Sequence, residues 1–237
     1  MKAKPQLLID GKRLDGRAVD EIRPLTIEVG TLKNADGSAY LEWGNNKVLV
    51  GIYGPKEAFP KHVSDPMKAI IKCRYTMAPF SSKEEHGRTG PNRRATEISK
   101  VTKEVFENVI MLDRFPGCEI DIYIEVLQSD GGTRAAGITA AAVALASSGI
   151  PMKDIPYAVS AGRAGDEILL DLNYIEDRYS DSDMPVAIGP RTNSVMLLQM
   201  DGSLTKEQYD RAIALIRKGG VEIVKTQRAA LESRYLK

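Results

Sequence analysis

The stretch Ser129-Asp130-Gly131-Gly132-Thr133-Arg134 combines what an anion site requires. Paired glycines let backbone amides approach a ligand with no Cβ in the way. A helix opening at Thr133 would present free N–H groups and the positive end of its dipole to a phosphate. Thr133 adds a hydroxyl, and Arg134 adds a planar, permanently charged fork matched to phosphate oxygens. The plainer alternative is a helix cap at Asp130 or Thr133, with glycines that only turn the chain. The spacing is neither a Walker loop nor a dinucleotide fingerprint.

Carboxylates come from the run Glu176-Asp177-Arg178-Tyr179-Ser180-Asp181-Ser182-Asp183. Such a run is usually a solvated loop. Here its flanks, Leu169-Leu170-Asp171-Leu172 and Met184-Pro185-Val186-Ala187-Ile188, are apolar and read as core strands that anchor it. Asp183 abuts a strand and is the best-placed acid. Asp177 could share a Mg²⁺ with it, because hard oxygen ligands suit that ion. Asp171 either joins them or ends its strand.

Arg93-Arg94 opens a helical pattern, with Lys83 and Arg88 nearby. Taken alone, the pair reads first as a solvated basic start to a surface helix; that arginines there oppose the helix dipole adds some weight to a phosphate-gripping role. Lys61 and His62 sit in a proline-rich loop, and a lone histidine such as His62 or His86 is more often a surface residue. Neither histidine pairs with a serine or cysteine nucleophile, and no dense carboxylate set for two-metal hydrolysis stands outside the acidic run. An anion cradle, an acid and paired arginines fit phosphoryl transfer, where positioning and charge neutralisation supply most of the catalysis.

The elements that must position these groups follow from periodicity. Residues 1–23 are polar and basic and read as an extended arm. Leu25–Val29 alternates as a strand, and Ser38–Trp43 with Lys47–Tyr53 reads as a hairpin across Gly44-Asn45-Asn46. Lys56–Pro66 reads as a loop and Ile70–Met77 as a strand. Ile98, Val101, Val105, Val109 and Met111 recur at helical spacing. Glu119–Gln128 reads as a strand, Thr133–Ser148 as a helix of small residues, and Val159–Leu172 as a hairpin across Gly165-Asp166. Short strands follow at Pro185–Gly189 and Ser194–Met200. Thr205–Leu236 reads as a helix interrupted near Gly219-Gly220. Trp43 and Tyr53 read as core. The stretch from Gly30 to Pro55 echoes that from Gly162 to Pro190, which fits either a duplication or the similar hairpins that α+β proteins often repeat.

Bulk properties narrow the class. The 237 residues carry a net charge of +1, so a polyanion site must be local or form between subunits. Cys73 and Cys118 match no ligand spacing and imply a reduced, cytosolic setting. The start lacks a signal peptide's apolar segment, and no apolar run approaches the ~18–20 residues of a membrane span.

Taken in order, these motifs resemble the RNase PH family over nearly the whole chain. Asp15-Gly16-Arg17 followed by Arg23-Pro24 is similar to the family's amino-terminal signature. So are Gly37-Ser38-Ala39, Gly44-Asn45-Asn46-Lys47-Val48 and Tyr53-Gly54-Pro55. Arg93-Arg94 looks like the family's RNA-binding pair, Gln128 to Arg134 its phosphate loop, and Asp177 with Asp183 its paired acids. Within the family, Tyr75 to Ser81 and the leader before Asp15 are similar to the catalytic ring subunit of the archaeal exosome. The tRNA-trimming bacterial branch has a shorter leader, and a non-catalytic ring subunit looks degraded at the arginines and acids.

The resemblance implies an α+β RNase PH fold of the ribosomal protein S5 domain 2-like kind. Two pseudo-repeated halves would form one domain over residues 1–237. It implies a phosphorolytic 3′-to-5′ exoribonuclease that uses inorganic phosphate as co-substrate, with RNA tailing as the reverse reaction. Gly131, Gly132, Thr133 and Arg134 would hold phosphate, and Arg93, Arg94, Lys61 and His62 would contact single-stranded RNA. Asp183 would be the general acid, directly or beside a Mg²⁺ held with Asp177. Three copies would alternate with an inactive RNase PH-like paralogue in a hexameric ring, beneath caps bearing S1 and KH or zinc-ribbon domains. A cytoplasmic enzyme with no membrane partner is implied.

Overall fold

In the computed structural model, which describes residues 5–9, 11–82 and 93–236, the chain opens with a short hairpin of β1 (Leu8–Ile9) and β2 (Lys12–Arg13). An antiparallel meander follows: β3 (Leu25–Val29), β4 (Gly37–Trp43) and β5 (Asn46–Glu57). The two-residue turn at Gly44-Asn45 joins the last pair. β6 (Ile70–Met77) runs parallel to β7 (Cys118–Gln128), because α1 (Arg93–Val109) carries the chain back between them. The first sheet has the order β3-β4-β5-β7-β6. Its strands alternate: Val48, Val50, Ile52, Ile120, Ile122 and Ile124 are fully buried on one face.

That face covers α2 (Thr133–Ser147), whose residues from Thr133 to Leu145 are all buried except Arg134. Alanine, glycine and threonine let both sheets approach this helix closely. The second sheet, order β11-β10-β8-β9 with β12 beside β10, closes its other side. Its strands are β8 (Tyr157–Ala164), β9 (Glu167–Leu170), β10 (Ser182–Gly189), β11 (Ser194–Leu198) and β12 (Asp201–Gly202). Between β9 and β10 lies α3 (Tyr174–Tyr179), and α4 (Lys206–Tyr235) packs across β8, β9 and β3. One apolar cluster draws side chains from both sheets and from α1, α2 and α4.

Four expectations change. Gly219-Gly220 does not interrupt α4. A Cβ at Gly220 would stand 2.2 Å from the Tyr157 ring, so the pair permits close packing within a continuous helix. The acidic run is not all loop: Asn173 and Glu176 form a reciprocal capping box that nucleates α3. Tyr53 is not core; it is half-buried on the outer face of β5, edge-on to Tyr123 at 5.8 Å. The echo between halves holds for a five-stranded sheet in each, but only the first sheet contains a parallel pair.

The amino-terminal stretch, read from sequence as an extended arm, is anchored by buried arginines. Arg13, Arg17 and Arg23 are buried against the end of β9. Asp171 is their common acceptor, with φ +54°. Its Oδ2 accepts from Arg23 N (2.8 Å), Arg23 Nε (2.9 Å) and Trp43 Nε1 (3.0 Å), and its Oδ1 accepts from Arg23 Nη2 (2.6 Å). Burial alone would disfavour the charge on Arg23, and the carboxylates of Asp171, Asp130 and Glu176, with Asp171 foremost, together more than offset it. We expect Asp171→Asn, which leaves a buried guanidinium without its counter-charge, to destabilise the protein by about 3 kcal/mol. A denaturant midpoint unchanged from the parent protein would contradict this account.

Candidate active site

The loop between β7 and α2 is shaped by its glycines. Gly131 and Gly132 have φ of +74° and +66°, and a Cβ on Gly131 would lie 2.6 Å from the Asn173 carbonyl carbon. Neighbours hold the loop from behind. Asn46 Oδ1 accepts from Asp130 N (2.6 Å), and Asn46 Nδ2 donates to Gly131 O (2.7 Å). Arg23, already fixed by Asp171, donates to Asp130 O. Gly132 is the N-cap of α2, and no side chain caps it. Asp130 and Thr133 are therefore not caps, and the first amides of the helix are left for a ligand.

Around that helix start, Tyr75 Oη donates to Thr133 Oγ1 (2.9 Å). Arg134 Nη2 donates to Glu97 Oε2 (2.8 Å), Nη1 donates to Gln199 Oε1, and Gln199 Nε2 donates to Glu97 Oε1 (2.7 Å). This closed ring holds the guanidinium at the cavity wall.

Asp183 stands near the start of β10, opposite Asp201 of β12 and beside Gly162 of β8. Asp177 projects from α3. Both line a cavity of about 270 Å³ together with Gly132, Thr133, Arg134, Arg94, Ser160 and Asp201. Burial pushes the Asp183 carboxyl up to about 7, helped by the charges of Asp177 and Asp201 and opposed by Arg134. Burial also raises Asp177, while Arg94, Arg23 and Arg134 pull it down. Asp183 Oδ1 is buried with no hydrogen-bond partner among the described residues. An acid that keeps its proton near neutrality thus faces an anion cradle across one small, polar space.

The same observations bear on a divalent ion. Asp177 together with Asp183 in its ionised form would offer Mg²⁺ two carboxylates in one cavity. That ion is typically bound through one or two carboxylates plus water and phosphate oxygens.

Gly132, Thr133, Arg134, Asp177 and Asp183 converge as expected, with Gly131 shaping the loop behind them. Arg94 joins them from the first turn of α1, whereas Arg93, exposed, does not line the cavity. Lys61 and His62 lie elsewhere, in the exposed 3₁₀ turn Lys61–Val63, and Lys61 pairs with Glu57 at 2.9 Å. Lys83, His86 and Arg88 lie outside the described residues. Ser160, Asp201, Glu97 and Gln199 were not singled out from sequence. They come from separate parts of the chain (α1, β8, the β11–β12 link and β12) and carry no local motif.

Comparison with known proteins agrees with this geometry. The models of the 3′ exoribonuclease family match in order, domain 1 over residues 21–151 and domain 2 over residues 154–219. The exosome complex component Rrp41 of Thermococcus kodakarensis is 55% identical, covering 97% of this chain and 93% of that protein. Rrp41 of Thermoplasma acidophilum is 50% identical, covering 95% and 91%. Rice Rrp46 superposes with a TM-score of 0.83 at 26% identity, covering 93% of this chain and 100% of that one. A chain of the Archaeoglobus fulgidus exosome with RNA bound to the active site shares the fold, with a TM-score of 0.78 at 23% identity over 91% and 92% of the two chains. Both halves of the chain, and relatives spanning nearly its full length, place it in the 3′ exoribonuclease family of RNase PH-type enzymes.

Proposed function

We propose that this chain is the catalytic RNase PH-type subunit of an archaeal exosome, a phosphorolytic 3′-to-5′ exoribonuclease. One observation carries the reading: Arg134 and the α2 N-terminus face Asp183 across a single cavity. Orthophosphate rests on the amides after Gly131, the Thr133 hydroxyl and the Arg134 guanidinium. One of its oxygens attacks the last internucleotide phosphorus, and the bond from that phosphorus to the 3′ oxygen breaks. Asp183 donates its proton to the departing 3′ oxygen. The products are a nucleoside 5′-diphosphate and an RNA one unit shorter. The reverse sequence adds nucleotides from diphosphates.

Arg94 grips the RNA backbone at the cavity, and Arg93 extends that grip outward. Such contacts hold phosphates without reading sequence. Lys61 and His62 would meet RNA away from the cavity. In the alternative route, Asp177 and an ionised Asp183 would hold Mg²⁺, which would supply positive charge to the phosphate oxygens in place of the direct proton transfer. The partners in this reading are single-stranded RNA, an inactive RNase PH-like paralogue alternating with three copies of this chain in a hexameric ring, and S1/KH or zinc-ribbon caps. A ring would gather basic loops at a pore although each chain is nearly neutral. No helix among the described residues is long and apolar enough to cross a membrane; the reading expects a cytoplasmic enzyme.

The direct test incubates the chain, alone and with its paralogue, with RNA and phosphate. Nucleoside diphosphates are expected and monophosphates would overturn the reading. Activity without the paralogue would point to a self-sufficient tRNA-trimming enzyme. Asp183→Asn should lower turnover ~10²–10⁴-fold while RNA affinity survives; near-normal turnover removes Asp183 from its role.

The raised Asp183 carboxyl also sets a pH dependence. Between its ordinary value of 3.8 and about 7, the folded protein holds a proton that the unfolded chain has lost. Stability therefore falls as pH rises through that window, and the penalty is complete above it. In metal-free protein, Asp183→Asn should raise the melting temperature at pH 8 more than at pH 4, and an equal shift at both would refute the assignment. Arg93→Glu with Arg94→Glu should weaken RNA binding and flatten its salt dependence; an unaltered, salt-sensitive affinity would contradict their role.

A further inference from the structure

We infer that Arg13, in the amino-terminal hairpin, is a positioning residue for the reaction, acting through Glu176 to aim Asp177 into the cavity. The inference rests on the reading of Asp177 as an active-site acid. α3 has only six residues, too few to hold a helix on their own. Its capping box ties Glu176 to Asn173, whose backbone N donates to Glu176 Oε2 (2.9 Å). A second constraint comes from far away in the chain. Arg13 Nε donates to Glu176 Oε1 (2.7 Å) and Arg13 Nη2 donates to Oε2, with both side chains wholly buried.

The same guanidinium reaches the end of β9. Nη1 donates to Leu170 O and Nη2 to Asp171 O (2.8 Å). Arg13 thus clamps α3 to the strand that precedes it, using a fork whose shape matches a carboxylate and two carbonyls. Adjacent helical residues point about 100° apart. With Glu176 drawn inward by Arg13, Asp177 is turned toward the cavity that it lines with Asp183. Arg17 Nη2 stands 3.7 Å from Glu176 Oε2 and gives weaker support. Residue 13 also precedes the first region matched by the family, which begins at residue 21. A segment outside the matched core therefore completes the site.

The test uses the ring assembled with the paralogue, a 5′-labelled oligoadenylate and inorganic phosphate. Arg13→Lys keeps the charge but cannot bridge both carboxylate oxygens. Glu176→Gln keeps the capping box but weakens the fork. Each should lower kcat about 10-fold or more, with KM for phosphate and RNA little changed. In an Asp177→Asn background, adding Arg13→Lys should cost no further turnover, because both act through one group. A purely structural role would instead multiply the two losses. Should Arg13→Lys not fold, Glu176→Gln alone and combined with Asp177→Asn makes the same comparison. Full kcat in the folded variants, or multiplied losses in the Asp177→Asn background, overturns the inference while leaving the active-site reading intact. Normal turnover in Asp177→Asn overturns that reading, and the inference with it.

Discussion

The ion pair between Arg23 and Asp171 is the constraint on which the site depends. It joins the segment entering the first sheet to the end of β9 in the second. Because a buried charge without a partner is costly, the pair leaves each half few alternative placements. Arg23 then spends its remaining donors on the carbonyls of Asp130 and Gly131, so the bond that holds the halves together also holds the anion loop. Trp43 Nε1, donating to Asp171, extends the connection into the core of the first sheet.

From that constraint, the chemistry follows by division of labour. The first half supplies the cradle: the β7–α2 loop, the uncapped helix start and Arg94 of α1. The second half supplies the acids on α3 and β10. Neither half contains a working site. The sheets meet around α2, whose small side chains bring the cradle and the acids to the same cavity. In the proposed mechanism packing therefore has a direct part, because it sets the spacing between the loop assigned to phosphate and the acid assigned as proton donor.

The electrostatics show the same economy. Gathering Asp177, Asp183 and Asp201 around one cavity would be unfavourable if all were ionised, and burial lets Asp183 keep its proton instead. Arg94 and Arg134 offset the rest.

Much of this was legible before any coordinates. Gly131-Gly132-Thr133-Arg134 could be read as an anion loop because the relevant physics is local: positive φ, a helix start and a guanidinium within six residues. Alternation marked the strands for a similar reason, since burial on one face imposes a period of two. The acids Asp177 and Asp183 were visible because apolar strands flank their run. Other features were not legible. The anchoring of the extended amino-terminal arm was not visible because buried arginines are identified only by their partners, and Asp171 and Glu176 lie more than 140 residues away. Gly219-Gly220 looked like a break because glycine's low helix propensity is local, whereas the Tyr157 ring that requires it is not. Glu97, Gln199, Ser160 and Asp201 carry no motif at all. Short-range chemistry is written in neighbouring residues, but the partner of a buried charge and the two walls of a cavity exist only once distant strands are brought into contact.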